Sequence, residues 1–345
     1  MKIAILTNCV PFVRGGAEHL AESLRDKLNE YGHEAMITRI PLAWHPPERI
    51  VEHILAARLL RLHNVDRMIG LKFPAFYVRH DNKIHWLLHQ FRQVYDLWGT
   101  KYQDIPDTPE GRRIREVVVN ADNQYLPEAR RIYTISRNSA ERLKKFNNLD
   151  AEVLYHPLGK SDHFRCDSYG DYLFCPSRVT DGKRQALLTE SMKYVRSGVR
   201  LVLAGQPETP ADRERVEAIM RENRLEKRVQ WIPRFISEDE KVGLFAGALG
   251  CAYIPYDEDT YGYVTLESYH SRKPVITCRD SGDTLVLVRD GQTGLVAEPT
   301  PAAIAGAMDN LYECRGQAER MGQAGYDLMM TLGINWETVV KRLTA

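Results

Sequence analysis

Residues 172–205 read YLFCPSRVTDGKRQALLTESMKYVRSGVRLVLAG. The short apolar runs at residues 173–175 and 200–204 predict two β-strands, and residues 183–194 between them have the length and apolar spacing of a helix. A strand, a helix and a second strand in this order are typical of a parallel sheet that is covered by helices. This stretch therefore predicts a domain of the α/β class.

The same alternation of strands and helices continues in both directions from this stretch. In the first half, Leu20, Leu24 and Leu28 mark an amphipathic helix that ends near Gly32. Strands are predicted in that half at residues 3–6, 67–70, 83–88 and 132–135. The second half continues with helices at residues 211–223 and 238–246, strands at 229–231, 250–254, 275–277 and 294–296, and a final helix that begins near Trp336.

Length and turn residues predict two domains. A chain of 345 residues exceeds what one hydrophobic core usually supports. The pattern lapses into turn residues at 156–170, which we take as the hinge, whereas residues 98–110 look like an exposed excursion from the first domain. We therefore expect two domains at residues 1–160 and 168–330, followed by a C-terminal helix at 331–345.

Composition excludes several function classes. Lys and Arg number 47 against 46 Asp and Glu, so the chain has almost no net charge. It therefore lacks the overall positive potential that would attract a nucleic acid, and we expect no nucleic-acid partner. The six cysteines are scattered and lack the spacing of zinc ligands, which favours reduced thiols in a cytoplasmic protein. No apolar run approaches the length of a membrane-spanning helix.

Two loops carry groups suited to phosphate. Gly15 and Gly16 stand before the first helix, where backbone N–H groups and the helix dipole can meet an anion. An ordinary tight turn explains the same pair, and neither a dinucleotide-binding nor a P-loop pattern is present. Arg178 and Lys183 follow the first strand of the second half, where two cations can neutralise a diphosphate or simply be solvated.

The most informative segment is residues 256–267, an acidic loop that enters a helix. Asp259 and Glu267 stand eight positions apart, with Gly262 between them. Carboxylates accept hydrogen bonds from sugar hydroxyls, and N–H groups near the glycine can meet phosphate. A solvated acidic loop before a capped helix is the alternative interpretation.

The order of these motifs resembles the retaining glycosyltransferases of family 4, which have the GT-B fold of two Rossmann-like domains facing each other across a cleft. The resemblance covers essentially the whole chain and is most specific in the second half. The matching segments are residues 15–18 for G-G-x-E, 32–34 for G-H-E, 177–183 for G-R-L-x-x-x-K, 259–267 for E-x(7)-E, 290–296 for D-G-x-T-G-L-V, and 336–337 for W-E.

This resemblance implies a transfer with retention of anomeric configuration, from a nucleotide diphosphate sugar and with no cofactor or obligatory metal. Arg178 and Lys183 would stabilise the departing diphosphate, Asp259 would bind the donor sugar, and Glu267 would hold the ribose. His89, at the end of a predicted strand, fits the family's cleft-edge histidine better than His85 does. The implied backbone contacts to phosphate and sugar oxygens come from Gly15, Gly16, Gly262, Tyr263 and Val264.

Several positions depart from the family pattern. Asp259 is one methylene shorter than the usual glutamate, so its contacts to the sugar are altered or taken over by Glu258. Arg184 replaces a common glycine after the lysine, and Val286 stands where a glutamate is usual.

The resemblance also implies where such a protein works. The first domain would be the acceptor side, the second would bind the nucleotide sugar, and the last helix can pack back on the first. The expected acceptor is a saccharide or lipid-linked molecule in cell-surface polysaccharide or glycoconjugate synthesis, at the inner face of a membrane. The helix at residues 51–61 has an apolar face and a basic margin, which suits peripheral membrane contact or, more simply, burial against its own domain.

Two alternative functions remain open at the level of sequence. One is another GT-B enzyme of sugar-nucleotide chemistry, either an epimerase, which needs no acceptor, or a phosphorylase, which needs phosphate. The other is a catalytically silent carbohydrate-binding protein, for which Asp259 and Val286 are the main arguments.

Overall fold

The computed structural model describes residues 1–12 and 15–345. These residues form two compact units, of which the first comprises Met1–Gly159 with Asn335–Ala345 and the second comprises Lys160–Ile334. Each unit has its own buried apolar core. No helix in the described part of the chain is both long enough and apolar enough to cross a bilayer.

The first unit is built on a parallel sheet. Its strand order is β2-β1-β3-β4-β5-β6, so the strand order reverses at β1. The strands are β1 (Lys2–Cys9), β2 (Glu34–Pro41), β3 (Arg67–Gly70), β4 (Lys83–Leu87), β5 (Arg131–Thr134) and β6 (Glu152–Val153). The helices are α1 (Gly16–Glu30), α2 (Arg49–Leu59), α3 (Pro109–Tyr125) and α4 (Arg137–Asn147).

The second unit repeats this design with a different strand order. Its strands are β7 (Tyr172–Pro176), β8 (Arg200–Ala204), β9 (Val229–Ile232), β10 (Gly250–Ala252), β11 (Val275–Cys278) and β12 (Gly294–Ala297). They are parallel and run in the order β12-β11-β10-β7-β8-β9, which is the Rossmann order read from the other edge. The helices are α5 (Gln185–Ser191), α6 (Pro210–Glu222), α7 (Glu238–Ala246), α8 (Tyr263–His270), α9 (Thr284–Leu287), α10 (Pro301–Glu313) and α11 (Arg315–Thr331).

The last helix, α12 (Trp336–Thr344), belongs to the first unit. Trp336 donates a hydrogen bond from Nε1 to the carbonyl oxygen of Leu158 at 3.0 Å. Its ring lies edge-on to Trp86, with the centroids 6.3 Å apart. Val339 and Leu343 on the same helix are buried, so an apolar face anchors the C-terminus in the core of that unit.

The helix predicted at residues 183–194 is shorter than its pattern indicated. Lys183 ends a separate 3-10 turn, Asp181–Lys183, and Arg184 has the left-handed φ of 59°. That conformation interrupts the α-helical hydrogen-bond series, so α5 begins only at Gln185. The prediction was therefore wrong at the start of the helix, and Lys183 lies in a turn.

The segment at residues 290–296 forms the turn into β12. Asp290 accepts a hydrogen bond at Oδ1 from the backbone N–H of Val296 at 2.9 Å. Gly294 packs so closely on β11 that an added Cβ would lie 2.0 Å from the carbonyl oxygen of Val275. The D-G-x-T-G-L-V sequence thus closes the edge of the sheet, which gives this motif a structural role.

Candidate functional site

The candidate site lies where the strand order of the second sheet reverses, between β7 and β10. In open parallel sheets, ligands bind at the carboxyl ends of strands at such a switch point. The loop after β7 carries Arg178 and Lys183, and the loop after β10 carries Asp259 and Gly262. The topology therefore brings two of the sequence motifs to one edge of the sheet.

Lys183 is held at this edge by two side chains from the segment that follows β10. Its Nζ donates to the hydroxyl of Tyr253 at 2.9 Å and forms an ion pair with Glu258. The backbone N–H of Lys183 donates to Oγ1 of Thr180 at 3.2 Å, which fixes the turn. Three quarters of the side chain is buried, because its exposed fraction is 24%. A cation this well enclosed is positioned to bind an oxyanion.

Arg178 lies in the same loop but makes a different contact. One of its guanidinium nitrogens lies 3.0 Å from Oε1 of Glu208, in the loop after β8. Its side chain is 63% exposed, so it is far more accessible than Lys183. The two predicted cations thus lie in one loop but contact side chains in two different loops, after β8 and after β10.

The acidic loop is anchored on both sides. The backbone N–H of Tyr256 donates to Gly182 at 2.8 Å, and that of Asp257 donates to Asp280 at 2.9 Å. Arg184 also reaches Asp280, with two parallel hydrogen bonds of 2.8 and 2.6 Å. The arginine that departs from the family pattern therefore ties the loops after β7 and β11 together.

Gly262 is the N-cap of α8 and requires the absence of a side chain. Its φ is +72°, and an added Cβ would lie 2.6 Å from the ring of Tyr253. Tyr263 and Val264 form the first turn of the helix, where backbone N–H groups lack partners within the helix. Half-buried Asp259 stands three residues before the cap. An anion at this helix end would meet the N–H groups and the positive end of the helix dipole.

Glu267 is buried inside the second unit, on the inward side of α8. Only 5% of the residue is exposed. Its Oε1 lies 2.5 Å from Nζ of Lys241 on α7, and the same ammonium lies 3.1 Å from Glu238. Burial raises the pKa of Glu267, although the Lys241 ammonium opposes that rise.

A separate open pocket lies at the carboxyl ends of β8 and β9. It has a volume of about 470 Å³ and is lined by residues 206–210, Arg213 and residues 233–235. Glu208, which pairs with Arg178, is part of this lining. The pocket therefore lies next to Arg178, one of the two cations predicted to bind a diphosphate.

The remaining predicted residues lie in the first unit. Gly15 caps α1, and its backbone N–H donates to Oε2 of Glu18 at 2.8 Å, while Gly16 is the first residue of the helix. Val13 and Arg14 of the same loop lie outside the described residues. His89 follows β4, and its Nδ1 lies 2.5 Å from the carbonyl oxygen of Gln90.

His85 differs from His89 in its surroundings. It is fully buried within β4, and burial lowers its pKa well below the usual value. It is therefore a neutral core residue, whereas half-buried His89 stands at the strand's end.

Sequence reasoning missed the partners of the predicted residues. Lys241, Tyr253 and Asp280 belong to no motif, and each is identified only by the charged side chain that it contacts. The open pocket was missed as well, although Gly205 directly after β8 marks the start of its loop. Across residues 1–12 and 15–345, no three His, Cys, Asp or Glu side chains are grouped as metal ligands.

Comparison with solved structures identifies the fold. The chain shares its fold with GT-B proteins, and the following three cover nearly all of it. Sucrose-phosphate synthase from Thermosynechococcus elongatus has a TM-score of 0.74 and 17% sequence identity, and the match covers 100% of this chain and 97% of that one. HepE from Anabaena in complex with UDP and glucose has a TM-score of 0.71 and 16% identity, with coverage of 100% of this chain and 98% of that one. WaaG, a glycosyltransferase involved in lipopolysaccharide biosynthesis, has a TM-score of 0.74 and 13% identity, with coverage of 100% of both chains.

The family follows from the sequence of the second unit. Residues 167–328 match the family described as glycosyl transferases group 1. The second unit is similar to that family over this range, and the resemblance inferred from the motifs is confirmed. No curated protein sequence matches the chain.

Proposed function

We propose that this chain is a retaining glycosyltransferase that transfers a sugar from a nucleotide diphosphate donor to a saccharide or lipid-linked acceptor. The observation that carries the proposal is the contact of Lys183 with Tyr253 and Glu258 at the switch point of the second sheet. Tyr253 also packs against Gly262, the cap of α8, so the cation and the helix N-terminus are neighbours. This is the arrangement that a diphosphate requires.

Each predicted residue then has a role. Lys183 and Arg178 stabilise the diphosphate as it leaves, so the reaction needs no metal ion. Backbone N–H groups at Gly262, Tyr263 and Val264 bind phosphate oxygens, and Glu267 holds the ribose hydroxyls. Asp259 binds the donor sugar, His89 orients it, and Gly15 and Gly16 contact its oxygens or those of the phosphate.

The open pocket beside Arg178 suits the nucleobase. Its lining, which includes Pro207, Pro233 and exposed Phe235, offers apolar surface to a flat ring. The neighbouring pair of Arg178 and Glu208 joins that pocket to the diphosphate loop. UDP-glucose is the donor to test first, because HepE was solved with it.

The acceptor proposal rests on relatives and on one surface of the first unit. WaaG acts in lipopolysaccharide biosynthesis, which supports a role in cell-surface polysaccharide or glycoconjugate synthesis. Helix α2 buries Ile50, Ile54 and Ala57 but leaves Leu55 and Leu59 exposed, at 58% and 77%. These two leucines support peripheral contact of a cytoplasmic enzyme with the inner face of a membrane.

The proposal is tested by the melting temperature of the metal-free chain with UDP, GDP, ADP, CDP and TDP. A ligand that binds the native state must raise that temperature. We expect one diphosphate to stabilise the chain selectively, and we expect Glu267→Ala to abolish the effect. If no diphosphate shifts the transition, the carbohydrate-binding alternative is favoured and the transferase proposal fails.

A further inference from the structure

The residue proposed to hold the ribose, Glu267, is one partner of a buried ion pair. Lys241 on α7 places its Nζ 2.5 Å from Oε1 of Glu267 on α8. Both side chains are enclosed, with exposed fractions of 20% for Lys241 and 7% for Glu267. The ammonium also lies 5.9 Å from the ring centroid of Phe164, so its surroundings are partly apolar.

The carboxylate of Glu267 depends on this cation. The titratable groups that face it are Lys241 and Glu238 from α7, Cys251 from β10, and Tyr263 from its own helix. Lys241 is the cation of this set. Glu238 repels the carboxylate, whereas burial and the neighbouring carboxylate raise the pKa values of Cys251 and Tyr263 and keep them neutral. Burying a carboxylate without a cation favours its neutral form, which is a poorer acceptor for hydroxyl groups.

The geometry also fixes the carboxylate in space. One oxygen, Oε1, is committed to Lys241, while a carboxylate offers about four lone-pair directions in all. The directions that Lys241 does not use remain for a ligand. A carboxylate that is already held at one oxygen loses less conformational freedom when its other lone pairs bind a ligand.

We propose that Lys241 is the positioning residue that holds the carboxylate of Glu267 in place for the ribose hydroxyls of the donor. This inference rests on the proposed function, in which Glu267 contacts the ribose. Lys241 acts through Glu267 and does not touch the donor itself. Its partner Glu238, which is 47% exposed, competes for the same ammonium at 3.1 Å and therefore weakens the effect.

The test compares donor binding and turnover in the full chain and its variants between pH 5.5 and pH 9. In Lys241→Met, we expect the KM for the nucleotide sugar to rise by about tenfold to a hundredfold, the size expected for a lost hydrogen bond to a charged group. The kcat at saturating donor should change far less. Lys241→Arg should restore most of the affinity, and Lys193→Met, at an exposed lysine 4.0 Å from Glu190, is the matched control.

The pH profile separates positioning from a merely structural role. Without Lys241, the pKa of Glu267 rises further, so donor affinity is kept at high pH and lost as pH falls through that pKa. The double variant Lys241→Met with Glu267→Gln should bind the donor as Glu267→Gln alone does, because both act through one carboxylate. Additive losses in the double variant would show that Lys241 acts independently and would overturn the inference.

Two further outcomes keep the inference distinct from the proposed function. A wild-type chain that binds no nucleotide sugar overturns both, whereas normal donor binding by Lys241→Met overturns the inference alone. If Lys241→Met does not fold, Glu238→Gln provides the second test. Removing that competing carboxylate should strengthen donor binding below neutral pH, and a weaker binding there would contradict the role given to Lys241.

Discussion

At the scale of single residues, the candidate site depends on how its charges are shared. Lys183 is neutralised by Glu258 and hydrogen-bonded to Tyr253. A diphosphate carries more negative charge than one carboxylate, so it can replace Glu258 at the ammonium. This exchange explains how a loop rich in acidic residues can border a site for an anion.

Lys183→Ala should remove most of the stabilisation of the leaving diphosphate. We expect kcat to fall by about a hundredfold to a thousandfold, the loss typical of removing one group that stabilises developing charge. The measurement is steady-state kinetics with a nucleotide sugar, with exposed Lys193→Ala as the control. Normal turnover of Lys183→Ala would rule out the role given to this residue.

Gly262→Ala should displace Tyr253 and with it a partner of Lys183. The added Cβ would lie 2.6 Å from the tyrosine ring, in addition to the strain of a φ of +72°. Gly291→Ala is the matched control, because its φ is +69° but nothing lies within 4 Å of the added carbon. Both variants should lose about 1–3 kcal/mol of stability to backbone strain. Only Gly262→Ala should also weaken binding of a nucleoside diphosphate, measured by calorimetry; equal affinities would contradict this account.

At the scale of elements, short loops hold the site together across strands. Arg184 and Asp280 join the loops after β7 and β11 through a bidentate pair. The guanidinium of Arg184 lies 4.9 Å from the ring centroid of Tyr256, which begins the acidic loop. The left-handed φ of Arg184 is thus maintained by contacts that a glycine would not make.

Asp280→Asn should destabilise the second unit and remove part of its acid sensitivity. Hydrogen bonds from Arg184 hold the pKa of Asp280 below its usual value. The carboxylate therefore contributes stability above the pKa of the unfolded chain, and that contribution is lost as pH falls through the folded pKa. The side chain of Asp280 is 35% exposed, so solvent screens the pair. We expect a loss of about 0.5–2 kcal/mol at pH 7, shrinking towards pH 3, in chemical denaturation. A difference between variant and wild type that does not shrink in acid would be inconsistent with this ion pair.

Asp122 gives the first unit the opposite pH dependence. Burial on α3 raises its pKa to about 6, and both Tyr77 and Tyr95 donate hydroxyl hydrogen bonds of 2.6 Å to it. Because the folded pKa lies above that of the unfolded chain, its contribution to stability falls as pH rises from about 4 to 6. Relative to Asp122→Asn, wild type should lose about 3 kcal/mol across this window. A constant difference between the two unfolding free energies would show that Asp122 does not titrate there.

The elements show where sequence reasoning succeeded and where it failed. Strands with continuous apolar runs, such as β8, were predicted to the residue because burial on both faces leaves a clear signal. The start of α5 was misplaced, since the left-handed Arg184 is set by Asp280, which is 96 positions away. Strand β2 was not predicted, because Ile40 is its one buried residue and its exposed positions do not alternate strictly.

At the scale of the whole molecule, each unit places one of its predicted phosphate-binding loops where the strand order of its own sheet reverses. Gly15 follows β1 in the first unit, and Lys183 follows β7 in the second. The motifs identified these positions, because glycines and cations at strand ends carry a local signal. Lys241, the partner of the Glu267 carboxylate, carries no such local signal in the sequence, because its role arises only when α7 packs beside α8. The catalytic and donor-binding roles themselves stay predictions.

The most direct test of the central claim is acceptor-dependent release of a nucleoside diphosphate by the purified, metal-free chain. The chain would be given UDP-glucose and other nucleotide sugars with saccharide and glycolipid acceptors, and the product linkage would be read from its anomeric proton coupling. The account predicts release only with acceptor, the donor's anomeric configuration in the product, and loss of release in Lys183→Ala. Donor conversion without any acceptor, or an inverted linkage, would contradict it.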